Sequence, residues 1–207
     1  MATEVDICNL ALSMLGTEGK ITSLNPPVGG AQAGDCARWY PIALRKLLES
    51  HTWSFALRRV DLARLAVISK DVLEPSYAFA LPSDCVRAVS VSHRRNGEPR
   101  DFDVELYGTT LTKCVVTDAK SCNLTYVAYV ASPSLFPAYF VQPLVILLAS
   151  YLYGPVRRSD STSKASVGLL QQYEVALSQA KTMDNRMSIQ RHGPRNRLAD
   201  CLRVREV

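Results

Sequence analysis

Three carboxylates at alternating positions, Asp101, Asp103 and Glu105, are the residues of this chain whose spacing comes nearest to a reaction. On a β-strand, side chains two apart share a face, so all three fall on one side. Two carboxylates flanking a sugar cleft, one held protonated by an apolar pocket, would hydrolyse a glycosidic bond. The same stretch holds Arg94, Arg95, Arg100 and the turn pair Asn96-Gly97. A solvated, salt-paired strand face accounts for that composition without any reaction.

The other reactive side chains are scattered. Six cysteines stand at 8, 36, 85, 114, 122 and 201, and no two have C-x-x-C spacing. With three separated histidines they complete no zinc set, and small buried thiols in a reducing compartment are the expectation. His51 and His93 have no Cys or Asp at a telling distance. No G-x-S-x-G occurs. Gly29-Gly30 follows no strand and precedes no Lys-Ser/Thr, so it reads as turn chemistry and not as a phosphate cradle. The sequence therefore assigns no catalytic residue, no metal ligand and no cofactor.

The elements that position these residues follow from periodicity. Residues 3–15 predict a helix, opened by a capping-box spacing of Thr3 and Asp6 and closed by Gly16. Its apolar stripe is Ile7, Leu10, Ala11, Met14 and Leu15. Residues 17–30 read as loop, and 31–50 as a second helix that Pro41 should kink or divide. Trp39 lies on that helix, and Trp53 and Phe55 follow its end; these three aromatics are the expected core anchors. Residues 58–66 read as a short helix of mixed charge. From Tyr77 the period falls to two, with strands expected around 86–91, 102–106, 110–117 and 123–130, and Gly108 as a hairpin turn. Helix resumes at 138–153, apolar nearly all round and stopped by Gly154-Pro155, and again at 161–187, with Val167, Leu170, Tyr173, Leu177 and Ala180 in one stripe.

The fold class expected is α+β: an antiparallel helical bundle from both chain halves (1–76 and 132–187), a small inserted antiparallel β module (77–131), and a C-terminal extension (188–207). With 207 residues and 47% hydrophobic side chains, such a chain can bury a real core. A net charge of +5 permits contact with nucleic acid or an acidic partner and demands neither. Glu4 and Asp6 stand where a secretory leader would be basic, so none is expected. The longest apolar run, 144–152, is about half of the ~20 residues a spanning helix needs. The basic extension has three readings: a solvated terminus, a phosphate contact, or a segment that folds on an acidic protein partner. Leu198, Leu202 and Val204 among its arginines favour a protein surface.

Read in order, the chain resembles the head-to-tail adaptors of tailed bacteriophages, the tail tubular protein A family. The stretches that carry the resemblance begin with Glu4-Val5-Asp6-Ile7-Cys8-Asn9-Leu10-Ala11-Leu12, Leu15-Gly16 and Ile21-Thr22-Ser23-Leu24. Cys36-Ala37-Arg38-Trp39-Tyr40, Leu47-Leu48, Trp53-Ser54-Phe55-Ala56 and Ala80-Leu81-Pro82-Ser83-Asp84-Cys85-Val86-Arg87 follow. The last are Leu124-Thr125-Tyr126-Val127-Ala128-Tyr129, Phe136-Pro137 with Phe140, and Tyr173-Glu174 with Ala176 and Ala180. Together they span residues 4–187.

The resemblance implies a structural virion protein of the neck or tail, assembled in the host cytoplasm. It implies a homo-oligomeric ring, typically a dodecamer, around the DNA exit channel, with passing DNA contacted without sequence specificity. The portal protein would lie on one side and the tail nozzle or other tail proteins on the other, with no membrane contact. Portal binding would fall on the extension, through Arg195, Arg197, Leu198, Leu202, Arg203 and Arg205. No catalytic residue carries over, and no enzymatic activity is expected. A virion-associated cell-wall hydrolase using Asp101, Asp103 and Glu105, and a free nucleic-acid-binding module, are the alternatives.

Overall fold

The structure, a computed structural model, describes residues 2–17, 20–67, 77–93, 97, 99–108, 111–157 and 163–191. Among these are four α-helices and ten strands in three antiparallel sheets. The protein is a strand-rich α+β chain, and not the helical bundle with a small β module that the sequence pattern predicts. It divides into two compact units, residues 1–43 with 136–207, and residues 44–135.

The first unit is built on helices. α1 (Glu4–Met14) opens as expected: the Thr3 side chain accepts from the Asp6 N–H at 3.1 Å, and the Asp6 carboxylate accepts from the Thr3 N–H at 2.9 Å. Two orphan donors are thereby satisfied. Gly16, at φ +69°, follows the helix end, and Arg157 donates to the Leu15 carbonyl at 2.9 Å. The buried face of α1 is Ile7, Cys8, Ala11, Leu12 and Leu15. Leu10 and Met14, expected inside, are 51% and 45% exposed. The sequence offers two apolar stripes at helical spacing, and packing selects the one that holds Cys8 and Leu12.

Residues 17–30, expected as loop, contain a small hairpin of β1 (Ser23–Leu24) and β2 (Pro27–Val28). It is pinned to α1 by Asn9, whose carboxamide donates to the Ile21 carbonyl (3.0 Å) and accepts from the Ile21 N–H (2.8 Å). Gly29, at φ +131°, is required there, because a Cβ would come within 2.8 Å of the Ile21 Cα.

α2 (Ala31–Glu49) runs through Pro41 without dividing, and gives residues 31–43 to this unit. α3 (Ala138–Val156) continues past Gly154-Pro155, which were expected to stop it; the Arg157 N–H closes it on the Tyr153 carbonyl at 2.9 Å. It is long and apolar enough to cross a membrane by composition alone, and half of that stretch is buried within the protein. α1 and α4 (Ser163–Arg191) pack on it. On α4, Tyr173, Ala176, Leu177 and Ala180 are buried, whereas Val167 and Leu170, expected in the same stripe, are 49% and 44% exposed. The Tyr139 hydroxyl donates to the buried Asp184 carboxylate at 2.8 Å.

The second unit begins with the end of α2 and continues as strands. Residues 58–66, read as a helix, instead form β3 (Leu57–Leu62) and β4 (Arg64–Val67). Their Leu, Arg and Ala content favours helix, but β3 lies against a strand some sixty residues away, with Leu62 opposite Cys122 and Leu57 opposite Val127. Val60 and Leu62 then alternate inward onto the core. The β region therefore starts at Leu57 and not at Tyr77, and its strands do not pair only among 77–131.

The remaining strands lie close to the expected places: β5 (Tyr77–Ala80), β6 (Cys85–Ser92), β7 (Pro99–Arg100), β8 (Asp103–Tyr107), β9 (Thr112–Thr117) and β10 (Cys122–Ala128). They form one sheet in the order β3-β10-β6-β7 and another in the order β4-β5-β9-β8. The chain thus visits the first sheet at β3, the other at β4 and β5, and alternates until it returns at β10. Tyr77, Phe79 and Val115 from one sheet meet Val91, Leu124, Tyr126 and Ala128 from the other in a shared core. Gly108, at φ +73°, makes the expected β8–β9 turn; Leu111 completes it at φ +50° and donates its N–H to the Gly108 carbonyl at 3.2 Å.

Candidate functional site

In the second unit Arg58, Tyr126 and Tyr129 all bond Asp84. Pro82, Ser83 and Asp84 form the turn that starts β6, closed by a Cys85 N–H to Pro82 carbonyl bond of 3.0 Å. The Asp84 Oδ2 accepts from Arg58 Nη1 of β3 at 2.8 Å, and its Oδ1 accepts from the Tyr126 hydroxyl of β10 at 3.1 Å. Its backbone carbonyl also accepts from the Tyr129 N–H at 2.7 Å. One carboxylate therefore ties together three neighbouring strands of one sheet. Burial, and then the Asp84 hydrogen bond, raise the Tyr126 hydroxyl above the ordinary phenol range, so it remains a donor.

Beside this node is an open cleft of about 340 Å³, lined by Arg45, Ser83, Asp84, Cys85, Val86 and Tyr129. Arg45 is bonded to Glu49 one turn along α2, at 3.2 Å. Burial, reinforced by the Asp84 charge, pushes the Cys85 thiol up to about 11, which keeps it protonated near neutral pH. A protonated thiol is a poor nucleophile. The cleft can meet a partner through charge and hydrogen bonds, but it does not assemble a nucleophile with a base.

The carboxylates Asp101, Asp103 and Glu105 are all exposed, the last two on β8 at the edge of its sheet. None of the three lines the cleft beside Asp84. Of the salt-paired surroundings expected for them, Arg100 is bonded to Asp118 at 3.8 Å; Arg94 and Arg95 lie outside the described residues. His93 is held by Ser121, whose hydroxyl lies 2.8 Å from Nδ1 and donates to the His93 carbonyl at 2.7 Å. His51 meets Trp53 edge to face, centroids 5.0 Å apart.

Cys8 and Cys36 are buried next to each other between α1 and α2. The hydrogen bond they share, and then burial, push the Cys8 thiol up. Cys122 is pushed up to about 11 by burial. Among the described residues no group of three or more His, Cys, Asp or Glu side chains is arranged to hold a metal ion. Asn123, in a glycosylation-like triplet, is buried and donates to Asp61 at 2.6 Å.

Of the expected core anchors, Trp53 is fully buried, with its Nε1 donating to the Leu47 carbonyl at 2.8 Å. Trp39 and Phe55 are half-buried; Trp39 stacks at a tilt on Tyr151, centroids 5.4 Å apart. Arg195, Arg197, Leu198, Leu202, Arg203 and Arg205 lie outside the described residues. The Arg58–Asp84–Tyr126 node escaped sequence reasoning. Its members are 26 and 42 positions apart, and Arg58 was assigned to a helix. The only local signal was the turn-forming Pro82-Ser83-Asp84 ahead of an alternating run. No family model and no curated protein matches the chain.

Proposed function

We propose that this chain is a structural virion protein, a ring-forming head-to-tail adaptor that joins a portal to a tail and surrounds the DNA exit channel. One observation carries the reading. The ordered stretches that resemble the adaptor family supply much of the core of both units: Ile7, Cys8, Leu12 and Ile21; Cys36 and Tyr40; Leu47, Leu48 and Trp53; Leu124 and Tyr126; Phe140 and Tyr173 are all buried. The stretch 80–87 adds no buried residue, so the support comes from the helices, the Trp53 turn and β10.

On this reading the partners are the portal protein, the tail nozzle or other tail proteins, and further copies of the chain, about twelve in the family's usual ring. A symmetric ring multiplies weak contacts, so each subunit can bind poorly while the set holds. Portal attachment is assigned to residues 188–207. The test is electron microscopy of the chain mixed with the portal of the same particle. An annulus coaxial with the portal is expected, and it should disappear when residues 188–207 are deleted from a chain that still folds. A chain that leaves the portal bare at micromolar concentration would refute the adaptor role. Attachment by the truncated chain would move the portal site onto the folded units.

A further inference from the structure

Among the described residues the sheet β4-β5-β9-β8 ends at β8 with no further strand paired to it. Among the described residues β8 has one strand neighbour, β9, and all five of its residues are exposed. Asp103, Glu105 and Tyr107 alternate with Val104 and Leu106, which are 52% and 58% exposed. Such an edge offers its row of N–H and C=O groups to any strand that fits. Its charge narrows the choice. Two copies of β8 paired antiparallel would set Asp103 and Glu105 against each other, and like charges directly opposite disfavour pairing. The nearest cations do not relieve this: Arg100 is bonded to Asp118, and Lys113 is one strand inward, opposite Leu106.

The other sheet has an edge of opposite character. β3 has β10 as its one strand neighbour among the described residues, and Leu57, Arg58 and Arg59 are exposed along it. The Arg58 side chain remains 58% exposed although it is bonded to Asp84. The single acid of the strand, Asp61, already accepts from Asn123. A β3 edge meeting its own copy over Leu57–Val60 sets Arg58 against Arg59; over its full length it sets Arg58, already held by Asp84, against Asp61, already held by Asn123.

We propose that β8 of one copy of this chain pairs with β3 of the next. The β8 edge carries only acids and rejects itself, while β3 offers Arg59 to Glu105, so the joint is head-to-tail, and head-to-tail joints repeat into rings or filaments. Val104 and Leu106 leave water on pairing, with Leu57 at the facing edge. The pairing itself rests on the two edges; that it closes as a ring's lateral contact rests on the adaptor reading above.

Sedimentation analysis of the full chain at low and high salt tests it. Arg59→Glu and Glu105→Lys should each weaken self-association by about tenfold or more, and high salt should weaken the parent chain. The double variant should recover most of the loss, because the pair is restored with its signs exchanged. Cysteines placed by Leu57→Cys in one copy and Tyr107→Cys in another, the positions that face each other when Arg59 faces Glu105 in an antiparallel pair, should cross-link on mixing, a readout independent of the charge variants. A parent chain that stays monomeric at millimolar concentration overturns the proposal, as does a double variant no better than the singles or a failure to cross-link. Rings on the portal that tolerate both single reversals would overturn the edge pairing and leave the adaptor reading intact. Edge-paired oligomers that ignore the portal would do the reverse.

Discussion

Trp53→Ala should be among the most destabilising single changes in the second unit. The indole is fully buried, lies edge to face against His51 at 5.0 Å, and is tilted against Phe55 at 6.4 Å. Its Nε1 donates to the Leu47 carbonyl, one of the last-turn acceptors of α2 that have no intrahelical partner. Truncating such a ring leaves a cavity and costs about 3–5 kcal/mol. The lost hydrogen bond adds only about 0.5–1 kcal/mol, because the same carbonyl still accepts from the Ser50 Oγ at 2.8 Å and the Ser50 N–H at 3.2 Å. Trp53→Phe keeps much of the ring and loses the donor, so about 1–2 kcal/mol is expected. Urea unfolding followed by far-ultraviolet circular dichroism separates the two variants. At a slope of roughly 2 kcal/mol per molar, a loss of 4 kcal/mol moves the midpoint by about 2 M. A shift below about 0.5 M for Trp53→Ala, with unchanged slope, would falsify the claim that this ring is packed.

Asp84→Asn should cost about 1–2 kcal/mol, since the Arg58 pair is partly solvated and the Tyr126 bond is retained in weaker form; equal stability by urea titration would show that the node is ornamental. Leu111→Gly should raise stability by about 1 kcal/mol, because it removes a branched side chain from φ +50° in an exposed turn; a lower melting temperature refutes the strain. Gly29→Ala should destabilise the first unit by 2 kcal/mol or more, roughly the sum of a disfavoured φ and the close approach to Ile21, measured by the loss of amide protection at Ile21. Stability should also fall at alkaline pH. Burial raises Cys85 and Cys122 from 9.0 to about 11, and Tyr173 from 10.0 to about 12. Groups raised in the fold stabilise it fully below their unfolded values and lose that contribution as pH rises through the folded ones. The decline should therefore run from about pH 9 to about pH 12, and a flat melting temperature across that window counts against it.

What the sequence made legible was decided locally. Thr3 and Asp6 cap α1, and Gly108 turns β8 into β9, because each signal and its consequence lie within a few residues. What it hid was decided at long range. The segment Leu57-Arg58-Arg59-Val60-Asp61-Leu62 contains good helix formers, and its inward alternation amounts to Val60 and Leu62 alone. Only β10 makes it a strand. The same limit explains α1 and α4: periodicity finds an apolar stripe, but not which of two overlapping stripes a neighbour will cover, so Leu10, Met14, Val167 and Leu170 were placed inside. Gly154-Pro155 gave the C-terminal end of α3 to within two residues, the helix closing at Val156 with the Arg157 N–H on the Tyr153 carbonyl. The Asp84 node is harder still, since each of its bonds depends on strand order, which no local pattern encodes.

The reactive groups of the described residues differ from catalytic ones in their surroundings. A glycosidase acid works because an apolar pocket keeps its proton until the sugar oxygen takes it. A cysteine nucleophile works because a neighbouring cation or helix end removes its proton. Here the placements are reversed. Asp101, Asp103 and Glu105 are exposed, the last two on the edge strand β8. Cys85 and Cys122 sit in environments that hold the proton on, Cys85 beside an aspartate and Cys122 near another. The one buried carboxylate of α4, Asp184, receives a tyrosine hydroxyl and serves the packing of its own unit. Charges displayed on strand edges do have a physical use as they stand, which is to choose the strand that may pair there.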